Sequence, residues 1–273
     1  MQGLDQLFNH PKPIIGVVHL LPLIGSPRSG LSFSEIGTRA LSDAGTLIDN
    51  GIDGLIVENY GDVPFFPDRV EAHTIAAMAV ITSEIRERYR QVPMGINVLR
   101  NDAKSALAIA TVTRANFIRV NVHTGAMLTD QGVVQGRAYE TLRYRSILGS
   151  TVKIFADVAV KHAAPLTPID LVTNAEDTYH RGLADALIVT GTATGKSADL
   201  DQLQTVKTAV PQAGVFVGSG VTSDNLVDFL QYADGIIVGT SIKREGVTTN
   251  EVDADRVRAI VKGRESTIGQ PKR

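Results

Sequence analysis

Short apolar runs alternate with amphipathic stretches along nearly the whole chain. Each run is almost continuous in β-branched and other apolar residues, which is typical of strands buried on both faces of a parallel sheet. A loop rich in Gly, Asn or His follows most of them. The predicted strands are IIGVVH (14–19), GLIVEN (54–59), MGINVL (94–99), FIRVNV (117–122), KIFADVAV (153–160), ALIVTG (186–191), VFVGSG (215–220) and GIIVGT (235–240).

The intervals between these strands carry helical periodicity. Helices are predicted at 34–50, 69–89, 103–114, 139–148, 169–181, 199–209, 224–231 and 253–262, of which the fourth has the weakest pattern. Short polar side chains that accept hydrogen bonds from a first helical turn mark the starts. The predicted N-caps are Ser34, Asp102, Ser223 and Asp253.

Eight strand–helix units predict a single (β/α)8 TIM barrel, because open doubly wound sheets usually have about five or six strands. The length of 273 residues agrees with this fold, for which about 250 residues is typical. No linker interrupts the units, so residues 1–273 are interpreted as one domain, with an N-terminal extension (1–12) and a flexible polar tail (266–273). The long loops 20–33 and 60–68 are candidate lids.

Composition narrows the functional classes. The chain has no cysteine, which excludes disulfides, thiolate zinc sites and cysteine nucleophiles. Its net charge is −2 without a long basic run, so nucleic acid is not an expected partner. No apolar run approaches the length of about 20 residues that a membrane span needs. We therefore expect a cytoplasmic protein with no integral membrane segment, and a homo-oligomer, as barrels of this kind often assemble.

Polar residues interrupt the strands on the side that faces the barrel interior. Strand side chains alternate between the interior and the helix layer, and the helix layer is apolar. These polar residues converge on the C-terminal mouth, where barrels build their active sites. They are His19, Glu58, Asn97, Arg119, Asn121, His123 and Asp157, with Lys161 and His162 just past the fifth strand.

Two kinds of role are predicted for this group. Glu58 is the candidate general base, with Asp157 as the other proton carrier, and Lys161 or His123 stabilises developing negative charge. Substrate-binding candidates are His19, Asn97, Arg119, Asn121 and His162. Structural interpretations stay open: Arg119 and Asp157 on neighbouring strands can form a buried ion pair, and Glu58 can cap loop amides.

The last three strands end in glycines and small hydroxyl residues. Glycine lets backbone N–H groups approach an anion closely, and loops after the last two strands are the usual phosphate site of this fold. The predicted phosphate-binding residues are Thr190, Gly191, Thr192, Gly218, Ser219, Gly220, Gly239, Thr240 and Ser241. The alternative is that these glycines serve only turn geometry. TATGK (192–196) lacks the spacing of a nucleotide-binding P-loop.

Several segments together resemble the BtpA/SgcQ family. They are PIIGVVHLLPLIGSPR (13–28), GIDGLIVENYGDVPF (51–65), MGINVLRNDAKSALAIA (94–110), FIRVNVHTGA (117–126), ADVAVKHAAPL (156–166), DALIVTGTATGK (185–196) and GVFVGSGVTSDN (214–225). The resemblance implies a TIM barrel. Cyanobacterial members of that family are associated with photosystem I biogenesis at the thylakoid, whereas others occur in organisms without a photosystem, some beside sugar-uptake genes.

A looser similarity concerns the closing strands. GSGVTSDN (218–225) and ADGIIVGTSI (233–242) resemble those of phosphate-binding barrels such as the tryptophan synthase α subunit. In that subunit the second strand ends in a glutamate and an aspartate follows in the next loop. Glu58 and Asp62 occupy comparable places here.

Three functions compete at this point. The leading one is an enzyme of lyase or isomerase type that uses acid–base chemistry on a phosphorylated sugar or sugar-like metabolite, without a cofactor; a Schiff base through Lys161 is a variant. The second is a non-catalytic photosystem I biogenesis factor, peripheral to the thylakoid membrane in a cyanobacterium. The third is a metal-dependent hydrolase with Glu58, His123, Asp157 and His162 as ligands, although the His-x-His pattern of amidohydrolases is absent from the first strand.

Overall fold

Eight parallel strands close into a barrel in the computed structural model, which describes residues 7–159, 163–166, 170–191 and 198–268. In chain order the strands are β1 (Ile14–His19), β2 (Gly54–Glu58), β3 (Met94–Asn97), β4 (Phe117–Val120), β5 (Ala126–Thr129), β6 (Gly132–Gln135), β7 (Lys153–Ala159), β8 (Ala163–Pro165), β9 (Ala186–Val189), β10 (Gly214–Val217) and β11 (Gly235–Val238). The barrel order is β1-β2-β3-β4-β7-β9-β10-β11, and β11 pairs with β1. The predicted fold is confirmed.

Each barrel strand is followed by a helix, as the sequence predicts. The helices are α1 (Phe33–Asp49), α2 (Ala72–Arg88), α3 (Ala103–Thr113), α4 (Ala138–Ile147), α5 (Leu171–Glu176), α6 (Leu200–Ala209), α7 (Leu226–Leu230) and α8 (Ala254–Ile268). A π-helical turn, Asp177–Arg181, extends α5. Within the described ranges, no helix combines the length and the apolar character needed to cross a bilayer.

The helix boundaries correct some of the predicted ends. Asp102 and Asp253 accept hydrogen bonds from the first turns of α3 and α8, as predicted. Ser34 is not a cap. The N-cap of α1 is Ser32, which forms a reciprocal capping box with Glu35 in the first turn of the helix. Ser223 is also not a cap, since α7 begins only after Asn225. The final helix runs to Ile268, three residues into the predicted tail, 266–273.

Aromatic rings fill the lower half of the barrel. Phe117 stacks on Phe155 with ring centroids 4.5 Å apart, and Phe216 lies 5.1 Å from Phe155. A Cβ atom at Gly95 would lie 2.2 Å from the Phe117 ring, so this position must be glycine for the ring to fit. Phe8 of the N-terminal extension packs against the same rings. Phe8 therefore plugs the barrel, a role that the polar sequence around it did not indicate.

A small antiparallel sheet stands beside the barrel. Its order is β6-β5-β8: β5 and β6 form a hairpin between β4 and α4, and β8 follows β7. The sequence analysis did not predict it, because each strand has only three or four residues. The hairpin accounts for the long connection between the fourth barrel strand and its helix.

The two long loops that the sequence presents as candidate lids are tied down. Asp62, in the loop after β2, accepts a hydrogen bond from the backbone N–H of Leu23 in the loop after β1, at 2.8 Å. Burial raises the pKa of Asp62, although the Leu23 N–H opposes the shift. Further along the second loop, Asp68 pairs with Arg137 at the start of α4, at 2.6 Å. These contacts join the first loop to the second and the second loop to the start of α4.

Candidate functional site

One cavity of about 380 Å³ opens at the C-terminal end of the barrel. His19, Glu58 and Arg119 line it. It is also lined by Gly218–Asp224, which follows β10, by Val238–Ser241 at the end of β11, and by Arg256 of α8. The predicted base Glu58 and two of the three predicted phosphate loops therefore line the same cavity.

Glu58 is the central member of a polar row across three strands. The strand register pairs His19 with Glu58 and Glu58 with Asn97. The Asn97 side-chain amide donates a hydrogen bond of 2.7 Å to Glu58 Oε2, and His19 Nε2 lies 3.7 Å from Glu58 Oε1. The carboxylate is thereby fixed by one neighbour on each side while it still lines the cavity.

Arg119 and Asp157 form the buried ion pair that the sequence left as one interpretation. Arg119 Nε and Nη2 each donate to Asp157 at 3.0 Å, and Asn121 donates a third hydrogen bond at 3.0 Å. Burial opposes the charge on Arg119, yet Asp157, with a smaller contribution from Glu58, keeps its pKa above the ordinary value. Because Asp157 accepts three hydrogen bonds and does not line the cavity, it holds Arg119 in place.

Two of the predicted phosphate-binding glycines let the walls of the cavity meet. A Cβ atom at Gly218 would lie 3.2 Å from Arg119 Nη2, and one at Gly239 would lie 2.9 Å from His19 Cε1. Gly220 has a φ of +68°, a left-handed conformation that glycine adopts without strain. The glycines therefore allow Arg119 and His19 to approach the two loops closely and allow the turn at Gly220. They also leave the backbone of both loops uncovered by side chains.

Thr190 and Gly191, which directly follow β9, are not part of the cradle formed by the loops after β10 and β11. The backbone N–H of Gly191 donates a 2.6 Å hydrogen bond to Ser219 Oγ, and neither Thr190 nor Gly191 lines the cavity. Thr192, Lys161 and His162 lie outside the described residues. Of the predicted cradle, the structure brings together Gly218, Ser219, Gly220, Gly239, Thr240 and Ser241.

Arg256 is a cavity residue that sequence reasoning missed. It stands in the first turn of α8 and its Nη1 donates to the Ser241 carbonyl at 3.3 Å. Ser241 Oγ is buried, and no group in the described part of the chain forms a hydrogen bond with it. A guanidinium and an unsatisfied hydroxyl thus lie next to the same turn. The sequence feature that could have identified Arg256 is its position three residues after the predicted Asp253 cap.

Arg100, three residues after β3, is a buried cation that sequence reasoning also missed, although it does not line the cavity. Only 4% of this residue is exposed. Burial lowers its pKa, although Asp157, Asp130 and Glu58 attract the charge. Its position after a strand end was the available signal, but it falls outside the alternation that selected the other residues.

His123 is not brought to the cavity. The chain leaves the barrel after Val120, and His123 is buried with its Nε2 within 2.8 Å of the Gly182 carbonyl oxygen, behind the barrel wall. Of the proposed metal ligands, His123 and Asp157 do not line the cavity that contains Glu58, and His162 lies outside the described residues. In the residues that the structure describes, no three His, Asp or Glu side chains are placed to hold a metal ion together.

The buried environment of His123 predicts a pH-dependent stability. Burial lowers the pKa of His123, with a smaller opposing effect from the Gly182 carbonyl. Below the unfolded value of about 6.5 the unfolded chain binds more protons than the folded one, so the free energy of unfolding falls as the pH decreases. We expect His123→Gln to lose stability less steeply than the wild type between pH 7.5 and pH 5 in urea titrations. His180→Gln, which changes an exposed histidine, should keep the wild-type slope; an unchanged slope in His123→Gln would contradict the assignment.

Comparison with solved structures supports the barrel fold. The native KDPGal structure matches this chain with a TM-score of 0.59 and 17% identity, over 96% of this chain and 98% of that one. Phosphoribosyl anthranilate isomerase from Thermus thermophilus matches with a TM-score of 0.57 and 12% identity, over 93% and 98%. 3-Keto-L-gulonate-6-phosphate decarboxylase from Vibrio cholerae gives 0.57 and 12%, over 96% and 99%.

Sequence relatives are much closer. The photosystem I biogenesis protein BtpA of Synechocystis is 47% identical over 94% of this chain and 90% of its own length. An uncharacterized protein of Methanocaldococcus jannaschii is 46% identical, over 92% and 94%. The model of the BtpA family matches residues 10–266. The chain therefore belongs to the BtpA family.

Proposed function

We propose that this protein is an enzyme that binds a phosphorylated sugar or sugar-like metabolite and acts on it by acid–base chemistry. One observation carries the proposal: His19 of β1, Glu58 of β2 and the glycine-rich turns after β10 and β11 line a single cavity of about 380 Å³. Two structures with the same fold are named for phosphorylated sugar compounds, which agrees with this substrate class.

The phosphate group belongs at the cradle formed by the turns Gly218–Asp224 and Gly239–Ser241. Backbone N–H groups of such turns and the guanidinium of Arg256 supply hydrogen bonds and positive charge to an anion. The buried hydroxyl of Ser241 adds a further donor. The substrate is then anchored with its carbon chain directed toward Glu58.

Glu58 is the proton carrier in this proposal. As a carboxylate held by Asn97, it removes a proton from a carbon next to a carbonyl group and returns it to a neighbouring atom. Arg119 and His19 stabilise the negative charge that develops on the carbonyl oxygen. Asp157 keeps Arg119 oriented through two hydrogen bonds. This division of roles suits a lyase or an isomerase.

Arg256 provides the test of phosphate binding. A hydrogen bond to a charged group contributes about 1.5–3 kcal/mol, so we expect Arg256→Gln to raise the dissociation constant for inorganic phosphate by about tenfold or more. Calorimetry measures this constant directly. The matched control is Arg258→Gln on the same helix, since Arg258 bonds to Asn50 and does not line the cavity. Equal affinity in the wild type and Arg256→Gln would contradict the proposed cradle.

A second candidate function is assistance in photosystem I biogenesis, favoured by the 47% identity to the Synechocystis protein of that name. The M. jannaschii relative is nearly as similar and its name carries no such function. The two functions differ in their need for the cavity. A role in assembly that does not depend on catalysis tolerates the loss of Glu58, whereas the enzymic role does not.

A further inference from the structure

Lys243 is a completely buried lysine that the proposed chemistry does not use. It follows directly after the turn Thr240–Ile242 that borders the cavity, and its Nζ donates a 3.0 Å hydrogen bond to Asp43 Oδ2 on α1. Burial lowers the pKa of Lys243, and Asp43 opposes the shift. Placing an ammonium group in the interior is costly even when it is paired. Such a residue needs an explanation beyond packing.

Asp43 holds both ends of one loop. Its Oδ2 accepts from Lys243, and its Oδ1 accepts from the backbone N–H of Val252 at 2.8 Å. Lys243 and Val252 also face each other in an antiparallel bridge. Arg39, one turn earlier on α1, lies 3.2 Å from the same carboxylate. Residues 243–252 therefore form a closed loop whose base is clamped to α1.

The two ends of this loop lead into two parts of the proposed phosphate cradle. The turn Thr240–Ile242 immediately precedes Lys243. After Val252, Asp253 caps α8 by accepting from the backbone N–H of Arg256 at 3.1 Å. A clamp at the base of the loop thus sets the position of the turn relative to the Arg256 side chain.

We propose that Asp43 and Lys243 are a positioning pair for the anion site, which they hold in its binding geometry without touching the ligand. This inference rests on the proposed function, because it assumes that the cradle binds phosphate. The pair acts through Ser241 and Arg256, so its loss lowers phosphate affinity while the groups that contact phosphate are all still present.

The test compares the loss of two buried ion pairs. Lys243→Met removes the ion pair of the clamp and leaves the hydrogen bond from the Val252 N–H to Asp43. Arg264→Met removes the partner of Asp53 at the opposite end of the barrel, where Asp53 also accepts from the N–H of Ile14. Small displacements of a positioned group can cost up to about a hundredfold, and we expect Lys243→Met to weaken inorganic phosphate binding on the order of tenfold. Arg264→Met should keep the wild-type dissociation constant. Calorimetry is carried out under conditions in which circular dichroism shows that every variant is folded.

A milder variant keeps the test decisive if Lys243→Met does not fold. The hydroxyl of Thr248, in the same loop, lies 2.9 Å from that of Thr240. Thr248→Val should weaken phosphate binding in the same direction but less. Wild-type phosphate affinity in Lys243→Met overturns the positioning role. If only Thr248→Val folds, wild-type affinity in that variant does the same. In either case the proposed phosphate site itself is not contradicted. A wild-type protein that binds no phosphate overturns both proposals.

Discussion

Replacing Glu58 with glutamine is expected to lower turnover by about 10²–10⁴-fold, the usual contribution of a positioned acid–base group. Glutamine has the shape of glutamate and can still bond to Asn97, but it cannot accept the proton. The measurement is the incorporation of solvent deuterium into a panel of aldose and ketose phosphates, followed by proton NMR. Phosphate affinity should not fall, because Glu58 is not part of the cradle and its replacement removes a negative charge from the cavity.

Asp224 offers a matched control for this substitution. It is a carboxylate that lines the same cavity, but it is exposed on the turn after β10. Asp224 belongs to the cradle, so Asp224→Asn can change substrate affinity. It keeps the proposed base, however, and the exchange rate at saturating substrate should be unchanged. Exchange at the wild-type rate in Glu58→Gln would exclude Glu58 as the base. A wild-type protein that binds phosphate yet exchanges no member of the panel would count against an enzymic role and favour the assembly function.

Much of this arrangement was accessible from sequence because a parallel barrel repeats one local rule. Alternation along buried strands placed His19, Glu58 and Arg119 toward the interior, and the cavity contains all three. The rule fails where the chain departs from the strand. His123 has the same parity as Arg119, but β4 ends at Val120, so alternation no longer determines where the side chain points.

Residues supplied by helices and by distant loops were harder to predict. Arg256 reaches the cavity because Asp253 starts α8 beside the cradle, and helical periodicity alone does not reveal that distance. The partnership of Asp43 with Lys243 joins residues 200 positions apart through the closure of the barrel. Phe8 lies in a polar extension, and the sequence pattern does not show that its ring packs inside the end of the barrel. These contacts depend on tertiary packing rather than on local pattern.

The largest loss of stability is expected from Asp157→Asn. The Arg119 and Asp157 side chains are 2% and 0% exposed, so the change leaves a buried guanidinium without its counter-charge. Removing one partner of such a pair typically costs about 3–5 kcal/mol, a large share of a total stability of about 5–15 kcal/mol.

Urea unfolding of Asp157→Asn measures the loss, and the double variant Arg119→Met/Asp157→Leu should recover part of it because no unpaired charge remains. Asp177→Asn is the surface control, since its pair with Arg181 is 51% and 84% exposed and should contribute little. If Asp157→Asn unfolds at the same urea concentration as that control, the guanidinium is hydrated in solution and the mouth of the barrel is wetter than the structure indicates.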